Sequence, residues 1–188
     1  MKAMLAVALG LLALGAAPAD DFSRAILDAH NRERATLHLP PLAWNDAMAR
    51  EALTWARYLA ASGRFEHSPR SEDEGENLWA GTAGAYTPQE MVGAWIAEKR
   101  DYRYGKFPDV AADGDWHKVG HYTQVIWKNT TEIGCGLATG IGPAGSARGD
   151  DGSSDGRGMR SGNGSARGLD VLVCRYSPAG NYIGETPY

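Results

Sequence analysis

Apolar positions recur at helical spacing through the first half of the chain. Phe22, Ile26 and Ala29 share one face of a stretch from Phe22 to about Leu37, which predicts a first helix. His30, Asn31 and Arg34 fall inside it. His30 and Arg34 are expected to stabilise the fold by hydrogen bonds, and Asn31, a poor residue for a helix interior, to tie down a neighbouring loop. Leu39-Pro40-Pro41-Leu42-Ala43-Trp44 reads as an extended linker, because proline restricts its own backbone and that of the residue before it. Asn45 is placed to cap a second helix running to Ala61. Met48, Ala52, Trp55 and Leu59 give that helix a core stripe at i, i+4, i+7 and i+11, and Gly63 supplies its stop. Thr87-Pro88-Gln89-Glu90 opens a third helix with a capping box and a proline in the first turn. Met91, Ala94, Trp95 and Glu98 share one face of it, so Glu98 points the same way as an apolar tryptophan and needs a partner.

The second half reads differently. Gly120-His121-Tyr122-Thr123-Gln124-Val125-Ile126-Trp127-Lys128-Asn129-Thr130 is rich in β-branched and aromatic residues, which predicts a buried strand with His121 at its mouth. Strands are expected at about 122–127, 134–139 and 169–176. The segments 63–87 and 101–117 read as loops, with His117 a surface or loop residue. About Gly140 to Gly168 holds ten of the chain's 24 glycines, with serines and mixed charges, and is expected to be a flexible hairpin insertion. Its Gly-Ile-Gly-Pro-Ala-Gly run mimics a dinucleotide fingerprint, but Pro143 stands where that fingerprint needs a helix. Helices followed by strands make an α+β pattern, and 188 residues fit one domain.

The chain starts with Lys2 ahead of a short apolar run and then Ala17-Pro18-Ala19, the pattern of a signal peptide over 1–19. A retained N-terminal anchor is the competing reading, though the run is short for a membrane span. Cleavage would leave an exported chain, extracellular or periplasmic, with no stable membrane anchor. The formal charge is −4, and loss of Lys2 makes it one unit more negative. That argues against a nucleic-acid binder, which needs a basic stripe. Cys135 and Cys174 both fall in predicted strands, so they either form a cross-strand disulfide or remain two buried thiols.

Two histidines and two glutamates, His67, Glu76, Glu98 and His121, are candidates to converge on one cavity. Neutral imidazoles suit zinc and similar ions, and glutamates can accept the second ring N–H and fix its tautomer. The alternative is a metal-free network of two His–Glu pairs that satisfies buried polar groups. Gly120 to Thr130 resembles a signature of the CAP superfamily, which comprises cysteine-rich secretory proteins, antigen 5 venom allergens and plant pathogenesis-related proteins. Val171 to Asn181 resembles its second signature. His30-Asn31-x-x-Arg34 and Gly75-Glu76-Asn77-Leu78 resemble its two shorter motifs, in the family's order. The resemblance spans about Phe22 to Tyr188 apart from the glycine-rich insertion.

The resemblance implies a three-layer α-β-α sandwich with a mostly antiparallel central sheet. It implies that His67, Glu76, Glu98 and His121 line a central cleft, with His67 and His121 able to hold a divalent cation, zinc or similar. His30, Asn31, Arg34, Asn77, Gln124 and Trp127 fall at its structural motif positions. It further implies a scaffold that binds sterols, fatty acids or proteins more often than it catalyses a defined reaction. Three functions therefore compete: a secreted binding module with a cation-capable cleft, a metal-dependent hydrolase, and a lipid carrier. A carrier needs an apolar slot, for which Tyr86, Tyr102, Tyr104 and Phe107 are candidates. Ser68 beside His67 invites a Ser-His-Glu triad, but triads are assembled in space and adjacency is poor evidence for one.

Overall fold

The helix-capping signals in the sequence set the helix boundaries. In the structure, a computed structural model that describes residues 20–69, 73–140 and 168–188, helix α1 spans Asp21–Thr36 and α2 spans Asp46–Ser62. Asn45 Oδ1 accepts from the N–H groups of Ala47 and Met48, and Gly63 ends α2 in the left-handed region at φ 68. Helix α3, Pro88–Ala97, opens on the complete Thr87–Glu90 capping box. The expected leader and most of the glycine-rich insertion lie outside the described residues.

A four-stranded sheet in the order β1-β3-β4-β2 forms the middle layer, with β1 Ala43–Trp44, β2 Gly75–Thr82, β3 Glu132–Gly140 and β4 Leu169–Ser177. The β2–β4 and β3–β4 pairs are antiparallel and β1–β3 is parallel, so the sheet is mixed, though mostly antiparallel. Alternation along β4 makes the layers. Leu172, Cys174 and Tyr176 join α1 and α3 residues such as Ile26 and Trp95 on one face, while Val171 and Val173 meet Ala52, Ala56 and Leu59 of α2 on the other. Helix α2 lies close on β3: a Cβ at Gly136 would stand 2.3 Å from Leu53 Cα, so only glycine admits this approach. Cys135 and Cys174 face each other across β3 and β4 and are joined in a disulfide.

Three sequence expectations are corrected. The strand expected at 122–127 is a short helix, α4, Gly120–Val125. Four consecutive residues, Tyr122 to Val125, are buried there, and enclosure on all sides overrides their strand propensity. The loop expected over 63–87 contains β2, whose first residues are polar and so lack an apolar alternation to read. The linker before α2 contains β1.

The motif residues of α1 act as structural ties. Asn31 Oδ1 accepts from Leu42 N at 2.7 Å and its Nδ2 donates to Leu42 O at 3.1 Å, which pins the proline-rich linker. The fully buried His30 ring places Nδ1 2.8 Å from Ile26 O and Nε2 2.9 Å from the Tyr176 hydroxyl. Burial lowers His30 from 6.5 to about 4, against the opposing hydrogen bond to Ile26. An unfolded chain therefore takes up this proton more readily than the folded one. His30 leaves stability intact above its unfolded value of 6.5 and removes it as pH falls toward about 4. The loss across that window is about 3 kcal/mol. Urea denaturation at neutral and mildly acidic pH checks this, with His30→Gln expected to flatten this part of the pH dependence.

Candidate functional site

The two glutamates reach their histidines from different elements. Glu76 is the second residue of β2, and its side chain is fully buried. Its Oε1 accepts from His67 Nδ1 at 2.8 Å and from the Ser68 backbone N–H at 2.9 Å, and its Oε2 accepts from Ser68 Oγ at 2.5 Å. Burial alone raises the Glu76 pKa, but the hydrogen bonds from His67 and Ser68 outweigh it and hold the carboxyl below its usual range. Glu98 opens a 3-10 turn, Glu98–Asp101, directly after α3. Its Oε1 accepts from His121 Nδ1 at 2.6 Å and its Oε2 from the Tyr122 backbone N–H at 3.0 Å. The second contact satisfies one of the first-turn donors of α4, so the same carboxylate that orients His121 also anchors the helix that carries it.

His67, Glu76 and His121 line one cleft of about 790 Å³, together with Asn77, Phe107, His117 and Tyr182. Glu98 stands behind His121, on a separate surface cavity with Arg100, Asp101 and Lys118. Both histidines thus turn Nδ1 to a carboxylate, and neither Nε2 has a protein partner among the described residues. The Trp95 ring stacks on His121 at 6.0 Å, and its Nε1 donates to Leu78 O at 3.1 Å, which fixes that wall. Among the described residues, no three His, Cys, Asp or Glu side chains stand close enough together to enclose a metal ion.

The remaining motif residues build the frame. Asn77 Nδ2 donates to His121 O and to the Tyr176 hydroxyl, each at 3.1 Å, so β2 carries the backbone of His121. Gln124 Oε1 accepts from Gly180 N at 2.8 Å and its Nε2 donates to Thr130 Oγ1 at 3.2 Å, tying α4 to the C-terminal segment. Trp127 is fully buried against Phe107 and Val119.

His117 and Ser68 also line the cleft. His117 sits on a 3-10 turn, Trp116–Lys118, and lines the cleft even though its side chain is 73% exposed. Its Nδ1 lies 2.9 Å from Asp115 Oδ1, and the Asp-Trp-His spacing was the available signal. Ser68 is buried, and its hydroxyl donates to Glu76, which is not the serine–histidine hydrogen bond a triad requires. Of the four rings proposed for a lipid slot, Tyr102 and Tyr104 both pack on Tyr188 and Tyr102 also joins the Phe107 cluster, while Tyr86 packs elsewhere. Tyr86 packs on Trp79, Tyr102 on Tyr122, Tyr104 on Tyr188 and Phe107 on Trp116.

Fold and site together define a helix–sheet–helix protein with carboxylate-backed histidines in a central cleft. The model of the CAP, or cysteine-rich secretory protein, family matches residues 27–142, and the chain belongs to that family. It is similar to the PR-1 type pathogenesis-related protein of Sambucus nigra, 34% identical over 164 residues that cover 86% of this chain and 79% of the relative. It is likewise similar to pathogenesis-related protein 1A of Nicotiana tabacum, 35% identical over 162 residues covering 86% and 78%. Among solved structures, BmVAL-1 matches with a TM-score of 0.63 and 25% identity over 93% of this chain and 85% of that one. The structure of NaASP2 with Zn2+ matches with a TM-score of 0.64 and 19% identity over 90% and 86%, a likeness of fold.

Proposed function

We propose that this chain is an exported binding protein whose cleft takes a divalent cation on Nε2 of His67 and Nε2 of His121. The observation that carries the reading is the matched pair of Nδ1–carboxylate contacts, 2.8 Å to Glu76 and 2.6 Å to Glu98, on two rings of one cleft. A carboxylate on Nδ1 keeps the proton there and leaves the Nε2 lone pair for a cation. Two imidazoles suit zinc or a similar ion, with water or a bound ligand completing its coordination. The protein partner or lipid, a sterol or fatty acid, would then be held by the cleft and its surrounding loops. The signal-like segment at 1–19 supports export, and among the described residues no helix is long and apolar enough to cross a membrane. Membership of the cysteine-rich secretory protein family also supports export.

Calorimetric titration of metal-stripped mature protein with zinc chloride tests the reading. Wild type is expected to bind zinc at one-to-one stoichiometry, and His67→Ala/His121→Ala to lose that binding. Equal, weak binding by both proteins would make the cleft a structural polar network.

A further inference from the structure

Ser68 and Arg175 have no part in the cation reading, yet both bear on its His67–Glu76 half. Arg175 lies opposite Glu76 in the β2–β4 register, and its side chain is only 11% exposed. Its Nη1 is held by Glu51 of α2 at 2.7 Å and by Glu74 at 3.2 Å. Its Nη2 donates to Ser68 Oγ at 3.2 Å, and Ser68 Oγ donates to Glu76 Oε2 at 2.5 Å. A guanidinium has no acceptor, and a hydroxyl has one proton. The Arg175 contact therefore occupies a serine lone pair and leaves the serine proton directed at Glu76.

The consequence passes to His67. Glu76 Oε2 is taken by the hydroxyl, with Arg175 Nε 4.0 Å away, while Oε1 takes the Ser68 N–H and His67 Nδ1. A carboxylate held as an acceptor on both oxygens has no proton to give, so the proton of the His67–Glu76 contact belongs on Nδ1. The other half of the cleft is held differently. Glu98 accepts from His121 and from a backbone N–H, and its side chain is 19% exposed against 0% for Glu76.

We propose that Ser68 and Arg175 are positioning residues: a guanidinium–hydroxyl–carboxylate chain that locks His67 in its Nδ1–H tautomer, so that Nε2 of His67 is preformed as a ligand. The tautomer lock stands on these contacts alone, and its consequence for cation affinity rests on the cation reading above. Arg175 thereby links Glu76, through Glu51, to α2 on the same face of the sheet.

The test uses the mature chain labelled with nitrogen-15. Long-range proton–nitrogen correlation spectra near neutral pH report which His67 nitrogen carries the proton. Wild type is expected as the Nδ1–H form. Ser68→Ala and Arg175→Met are expected to populate the Nε2–H form, and Ser68→Thr to restore the wild-type pattern. Arg175→Gln replaces Arg175→Met if the latter does not fold. Zinc chloride affinity is expected to fall about tenfold in Ser68→Ala, the low end of the effect of removing a residue that supports a metal ligand from behind. If Ser68→Ala keeps the Nδ1–H form and merely melts at lower temperature, the positioning role is overturned. If the tautomer shifts as expected but wild type itself binds no zinc, the cation reading fails and the positioning role stands. If zinc binds wild type and Ser68→Ala equally and the tautomer is unchanged, the positioning role fails and the cation reading survives.

Discussion

Replacing Arg34 with leucine is expected to remove about 4 kcal/mol or more of folding stability, a large effect for one substitution. The Arg34 guanidinium is fully buried and gathers four carbonyl oxygens. Its Nε donates to Pro40 O at 2.9 Å, Nη1 to Val125 O at 3.0 Å and to Trp127 O at 2.8 Å, and Nη2 to Thr130 O at 3.1 Å. These carbonyls belong to the linker before α2, the end of α4 and the turn leading into β3, so a single side chain joins three segments. Burial lowers the Arg34 pKa from 12.5 to about 10, which still leaves it charged at neutral pH. Leucine would fill part of the space but leave the carbonyls without donors, at about 1–3 kcal/mol each before water recovers some of the loss. The guanidinium's own desolvation offsets part of the total, so the net cost is smaller than the sum. Lysine is a poor replacement, because a compact ammonium does not reproduce the planar fork that reaches all four oxygens. Urea denaturation followed by circular dichroism measures the change. A loss under about 1 kcal/mol would mean that water replaces the guanidinium at no great cost.

The second large effect is expected from the disulfide. The Cys135→Ala/Cys174→Ala double variant should lose about 4 kcal/mol, the chain-entropy estimate for a cross-link between residues 39 apart in sequence. The effect acts mainly on the unfolded chain, which regains the freedom of the whole segment between β3 and β4. It should therefore be just as large in wild-type protein treated with reductant after unfolding. Thermal denaturation of the oxidised, reduced and doubly substituted proteins checks the prediction. Equal melting temperatures for all three would show that β3–β4 pairing and the core on either side suffice without the cross-link.

Much of the site's content was readable along the chain, but its geometry was not. His67, Glu76, Glu98 and His121 stand out as polar residues in or beside otherwise structured motifs. That each histidine would use Nδ1 toward its glutamate depends on side chains 9 and 23 positions apart in sequence. Glu98 illustrates the difference. Its place on the Trp95 face of α3 was visible from helical spacing, and so was its need for a partner. Its position behind His121 follows from the 3-10 turn after α3 and from the N–H groups at the start of α4. Arg175 gave no functional signal, because its importance lies in a serine 107 residues away.

The sequence by itself determined the three long helices and their ends, the two central strands, and a pair of cysteines suited to bridging them. These are local matters: a cap sits within four residues of the N–H groups it serves, and an apolar stripe repeats every turn. Tertiary structure decided what the stretch from Gly120 to Val125 becomes, how Gly75–Thr82 joins the sheet, and which way each imidazole faces. Residues with strand propensity coil into α4 because four of them in a row are buried and Glu98, Asn77 and Gly180 bind around them. Polar residues form β2 because β4 supplies an antiparallel partner for the whole strand. Local propensity, proline aside, is worth about 1 kcal/mol per residue at most, and contacts made by distant segments outweigh it.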